Sequence, residues 1–278
     1  MFEGMNLPKT ILEPEMNTED AAEIKRIRHR SFVKKIPLDK ELTEIVSGYE
    51  SHSFLKNPAG QNVYLYLCDY VKILSEYWFK KGFQELKILD WGCGKGQVTF
   101  LLGGGSANVV SCDVKEDTID SSYGQETPII DNAKIKVIQL EHEYLLPFND
   151  EEFDVILSFG VLEHVANDSA SIKELSRVLK PTGLFFCFNL PYFLSWTQKI
   201  SYLFGNTYHD RVYRHKGICS LLREGGFHAL DLWHRQLFPK NEISYPGYRL
   251  FERLDLFLVR HTFLRFFSTS IEFVASKK

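Results

Sequence analysis

The residues best suited to chemistry lie in the stretch 86–97, LKILDWGCGKGQ. An apolar run ends in Asp90, and Gly92, Gly94 and Gly96 follow at alternate positions. Glycines let a backbone turn tightly and let a ligand approach it closely. A helix that starts after such a turn offers free N–H groups and the positive end of its dipole. Asp113 lies at the end of the next apolar run, 21 residues beyond Gly92. An acid at that place accepts hydrogen bonds from both hydroxyls of a ribose. Together these residues predict an adenosine-type ligand at the carboxyl ends of the first two strands.

Such residues need a frame, and the chain supplies one. LKILDWG reads as a buried strand closed by glycines, and GQVTFLL as the helix after it. NVVSCDV (108–114), KIKVIQL (134–140), FDVILSF (153–159) and GLFFCFNL (183–190) read as further strands. A helix is expected over 168–179, with Asp168 as its expected cap and Ile172, Leu175, Val178 and Leu179 inward. A helix at 216–224, a strand at 227–236 and a last strand, SIEFVAS, complete the pattern. Apolar strands alternating with helices predict an α/β fold. It is Rossmann-like, with a seven-stranded, mostly parallel sheet and helices on both faces. Residues 1–82 form an N-terminal helical extension, loose over 1–20, with helices expected at 19–36 and 61–80. Residues 83–278 form the main domain. Within it, the aromatic segment 191–213 and the insertion 237–267 are expected to cap the ligand edge of the sheet.

Composition narrows the function classes. With 33 basic and 36 acidic residues the net charge is −3, so extended nucleic-acid binding is not expected. The five cysteines are scattered and form no Cys-x-x-Cys pair. That pattern suits a reducing cytosol, not a disulfide scaffold or zinc ribbon, and the expected location is cytoplasmic. Residues 181–198 are uncharged, but Asn189 and Pro191 stand at their centre. A buried strand followed by a loop fits them better than a membrane span.

Three stretches carry a family resemblance: ILDWGCGKGQ, then LPFNDEEFDVILSFGVLEHV, then ELSRVLKPTGLFFCFNLP. In order and spacing they resemble the class I S-adenosylmethionine-dependent methyltransferases, above all the ubiquinone and menaquinone biosynthesis group. The resemblance implies S-adenosylmethionine as cofactor. It implies that Asp90, Gly92, Cys93 and Gly94 lie beside the methionine moiety. Asp113 then holds the ribose, Val114 packs on the adenine and Phe159 lines the cofactor. The family usually has an Asp shortly before Leu-Pro-Phe, on the adenine amino group. This chain has His142 there, flanked by Glu141 and Glu143. The adenine contact is therefore expected from His142 or from either flanking acid, with His142 and Glu143 as the cofactor-binding candidates. Some relatives hold a divalent metal in a Glu-x-x-Glu-His cluster. Here Gly160 stands at the first position, the cluster is incomplete, and no metal is expected.

Methyl transfer to a hydroxyl calls for a base. His164, in Glu163-His164 after the fourth strand, and His209, in His209-Asp210-Arg211 after the fifth, are the catalytic candidates. The competing reading makes Glu163-His164 a structural pair at a helix start. The acceptor is expected to be a small molecule, with a hydroxyl on an apolar, aromatic, lipid-linked or glycan compound. Alternatives are an RNA or protein methyltransferase using the basic run 25–35, a nicotinamide oxidoreductase, or a silent cofactor-binding module. The stretch 248–267, YRLFERLDLFLVRHTFLRFF, mixes leucines and phenylalanines with arginines. Core packing with snorkelling arginines is its preferred reading; peripheral membrane contact is the other.

Overall fold

The structure is a computed structural model that describes residues 18–34, 36–49, 52–103, 108–114, 126–142, 144–205, 211–238 and 248–278. The expected leader lies outside these, apart from its last three residues. Four helices come first: α1 (Thr18–Val33), α2 (Lys40–Val46), α3 (Ser53–Lys56) and α4 (Pro58–Phe79). Then come β1 (Ile88–Trp91), α5 (Gln97–Gly103), β2 (Val109–Val114), α6 (Pro128–Ala133), β3 (Val137–Leu140), β4 (Phe153–Phe159) and α7 (Asp168–Val178). The rest is β5 (Leu179–Pro191), α8 (Trp196–Leu203), α9 (His215–Glu224), β6 (Phe227–Arg235), α10 (Tyr248–His261) and β7 (Ser270–Lys277).

The strands make a seven-stranded sheet in the order β3-β2-β1-β4-β5-β7-β6. Strands β1 to β5 pair in parallel, and β7 runs antiparallel between β5 and β6. This is the Rossmann-like sheet expected from the sequence. Side chains alternate between its faces. Ile88, Leu157, Phe186 and Phe188 meet the N-terminal helices and α5. Leu89, Ile156, Phe185 and Phe273 meet α7 and α9. The order reverses between β1 and β4, so the crevice between their carboxyl ends is the natural ligand position.

The N-terminal extension is built into the first face. Asn57 caps α4 by accepting from Ala59 N, Pro58 fills the first turn, and Lys80 ends the helix in a left-handed conformation. Leu67, Tyr70, Val71 and Leu74 of α4 are fully buried in the same cluster as the sheet. Arg28 of α1 pairs with Asp231 of β6 at 2.8 Å and lies 4.5 Å over the Trp233 ring. One arginine of the basic run therefore holds α1 to the sheet.

Candidate active site

The glycine turn forms at the carboxyl end of β1 as expected. Gly92, Gly94 and Gly96 all have positive φ, at 70°, 52° and 82°. Gly92 N and Cys93 N both donate to Cys112 O on β2, at 2.9 and 3.1 Å. A Cβ on Gly92 would sit 2.4 Å from Val161 Cγ2, so only glycine lets the turn pass under that side chain. At Gly94 the same direction meets nothing within 4 Å. The turn is tight on its protein side and open on the other, as a cradle for a ligand must be.

Asp113 stands beside that opening. Its carboxylate accepts from Gly94 N at 2.6 Å and from Val114 N at 2.8 Å. Burial raises its pKa, and the two backbone donors oppose the shift. The acid predicted from spacing thus touches the glycine turn directly. Val114 is half-buried against the second core cluster. Asp90 behaves differently. It is buried and accepts from Thr99 Oγ1 at 2.7 Å, and Thr99 in turn meets Ser111 Oγ at 2.7 Å. Its carboxylate braces β1 against α5 and β2 beneath the turn, and burial pushes its pKa up to about 6. Cys93 is buried, and desolvation pushes its thiol well up. His142 is exposed past the end of β3 and stacks on Tyr144, with ring centroids 6.0 Å apart. Glu143 and His209 lie outside the described residues.

Gly160 follows β4 with a φ of 69°, and its N–H donates to Phe188 O at 3.0 Å. Beyond it sit Glu163 and His164. Glu163 is almost fully buried, and its Oε2 has no hydrogen-bond partner. Desolvation pushes its pKa up to about 8. Its Oε1 lies 4.0 Å from Nε2 of the half-exposed His164. A protonated carboxyl adds no charge beside that ring at neutral pH.

A buried acid of this kind has a consequence for stability. Its folded pKa lies above its unfolded value, so the folded state holds more protons between about pH 4.5 and 8. Stability therefore falls as pH rises through that window. Glu163→Gln is expected to flatten the fall, so that its melting temperature exceeds that of the wild type at pH 8.5 but not at pH 5. Thermal melts of both proteins across that range check it.

Sequence reasoning missed the part of the site that comes from the extension. Tyr64 of α4 stacks on Phe159, with centroids 6.1 Å apart and planes at 17°. Phe159 packs on Phe188 at 4.7 Å, and Phe54 reaches Tyr64 at 5.9 Å. His52, fully buried, stacks on Phe54 at 6.5 Å. Burial first, then Lys95 of the glycine turn, lowers its pKa to about 4. An aromatic row thus runs from the glycine turn to the end of β5. Asn189, on the bulged end of β5, has a φ of 63° and completes that rim. Tyr64 belongs to no motif, and its neighbour Phe159 is 95 residues away and leaves no local signal.

The segment 191–213 contains α8 (Trp196–Leu203), a helix that its uneven aromatic spacing does not announce. Ser195 caps it, accepting from Gln198 N at 3.3 Å. This segment leaves the carboxyl end of β5, and the 237–267 insertion leaves the carboxyl end of β6. Among the described residues no group of three or more His, Cys, Asp or Glu side chains is placed to hold a metal.

Residues 89–187 match the family described as a methyltransferase domain. The chain is 32% identical over 134 residues to the mitochondrial ubiquinone biosynthesis O-methyltransferase of Dictyostelium discoideum, covering 44% of this chain and 41% of that protein. It is 35% identical over 118 residues to the demethylmenaquinone methyltransferase of Lactobacillus johnsonii, covering 38% of this chain and 47% of that one. The chain thus spans less than half the length of these relatives. A solved structure of a putative sarcosine dimethylglycine methyltransferase from Galdieria sulphuraria shares the fold. Its TM-score is 0.51 at 17% identity, over 85% of this chain and 96% of that one.

Proposed function

We infer that this chain, a class I S-adenosylmethionine-dependent methyltransferase by its fold and its matched domain, methylates a hydroxyl oxygen of a small apolar or aromatic acceptor. One observation supports this reading most. The glycine turn, open over Gly94, and the ribose-accepting Asp113 lie together within the matched residues. Gly92, Gly94, Asp113 and Val114 would hold the cofactor, which when bound supplies a methyl group from a sulfonium whose sulfur keeps the broken bond's electron pair.

The chain's own part is alignment and proton removal. Phe159, partly exposed and backed by the buried rings of Tyr64 and Phe188, offers an apolar face to an aromatic acceptor beside the turn. As the new oxygen–carbon bond forms, His164 takes the hydroxyl proton and passes it to water, to which its ring is half open. The relatives named for ubiquinone biosynthesis are O-methyltransferases by name, which favours oxygen here. Lipid-linked and glycan acceptors belong to the same proposal; RNA or protein is the competing class.

Turnover of methyl-labelled cofactor tests the acceptor class. Label is expected to pass to polyprenylated catechols or related phenols. Label passing instead to RNA or protein, with none on phenolic acceptors, contradicts the proposal.

A further inference from the structure

Helix α10 is built inside out. Its two acids, Glu252 and Asp255, are turned inward and buried. Asp255 Oδ1 accepts from Leu237 N at 2.6 Å and Phe238 N at 3.3 Å, and Glu252 accepts from Tyr66 Oη at 3.3 Å. Leu250, Leu254 and Phe257, one helical turn apart, face outward and are 74%, 44% and 57% exposed. A surface helix ordinarily presents the reverse pattern. Three large apolar side chains in a row on the outside mark a surface made to be covered.

Among the described residues of α10, the exposed arginines face no exposed acid of the same helix. Arg253 and Arg260 are exposed on α10, and with both acids inward the outward charge of the helix is positive. Arg260 Nη1 reaches the His29 ring of α1 at 2.7 Å, which brings the exposed Lys25 and Arg30 of that helix alongside. The basic run and the leucine–arginine stretch therefore meet at His29 and Arg260. Helix α10 also adjoins the ligand edge of the sheet. Leu237, at the end of β6, is bonded both to Asp255 and to Trp196 Nε1 of α8, the latter at 2.7 Å.

We propose that α10 and the adjoining basic face of α1 dock this protein on an anionic lipid bilayer. Leu250, Leu254 and Phe257 enter the interface between headgroups and acyl chains, and the arginines meet lipid phosphates. Among the described residues no helix is long and apolar enough to cross a membrane, and a helix lying on the surface needs no such length. The docked face places the ligand edge near the bilayer, within reach of an acceptor held there.

Vesicle flotation tests this, using phosphatidylcholine alone and an equal mixture with phosphatidylglycerol. The protein is expected to bind the anionic vesicles about tenfold better than the neutral ones, and less well as salt rises. Leu250→Gln, Leu254→Gln and Phe257→Gln combined should lower that binding about tenfold. Arg253→Gln alone should weaken binding to the anionic vesicles only. Circular dichroism and cofactor binding verify that the variants are folded. Flotation is run without acceptor, so its result does not depend on which acceptor is correct. The proposal is overturned if the wild type ignores anionic vesicles or if the triple variant binds as it does. It is equally overturned if sedimentation shows a dimer that the triple variant converts to monomer, because a second copy then covers the face.

Discussion

His164→Ala is expected to lower turnover on a hydroxyl acceptor about 100-fold, the usual scale for removing a general base. Cofactor affinity should stay within a factor of about two, because in the proposed reading Gly92, Gly94, Asp113 and Val114 hold the cofactor and this ring does not. Its half-exposed side chain makes the substitution tolerable to the fold. Two readouts separate a base from a structural residue. The fall should appear in kcat and not in the cofactor KM, and the rising limb of the pH–rate profile should disappear. His209→Ala is the companion measurement. If both single variants turn over at the wild-type rate, proton removal does not rest on either histidine, and a nitrogen or carbon acceptor becomes the better account.

The second large effect is at Asp113. Asp113→Ala is expected to weaken S-adenosylmethionine binding by about 1.5 to 3 kcal/mol, the scale for leaving charge-assisted hydrogen bonds unmade. That is roughly 10- to 150-fold in Kd. Asp113 also accepts from Gly94 N at 2.6 Å, so part of the loss is the loosened turn. Asp113→Asn, which retains an acceptor oxygen of similar reach, should recover some affinity. Titration calorimetry on the three proteins checks the order. Equal affinity in all three would remove the acid from the site.

The features legible in the sequence are those fixed by local chemistry. The glycine turn needed positive φ at three positions, and three glycines announced it. The strands are short apolar runs because both faces of a parallel sheet are buried. The spacing from Gly92 to Asp113 follows from one strand–helix–strand unit, and the acid does reach the turn. Asp90 shows where such reading stops. Its residue type suited a ligand, yet its partner is Thr99, an internal brace that spacing does not reveal.

The rest depends on contacts between distant segments. The leucines and phenylalanines of 248–267, mixed with arginines, suit a helix face packed on the core. The structure turns it outward because Asp255 is held by the backbone of Leu237 and Phe238, and Glu252 by Tyr66. Backbone N–H groups at the end of β6 need an acceptor and find it in Asp255, while Glu252 answers the Tyr66 hydroxyl, and no local pattern records either demand. In the same way the extension carries no local mark of its place beside the site. Its Tyr64 lies on Phe159, so α4 helps to shape the site that the glycine turn begins, and Arg28 on Trp233 ties α1 to the sheet.

Calorimetric titration of the purified chain with S-adenosylmethionine and, separately, with NAD tests the central claim most directly. The account predicts saturable 1:1 binding of S-adenosylmethionine and at most weak binding of NAD. Tight NAD binding with no heat from S-adenosylmethionine would contradict it.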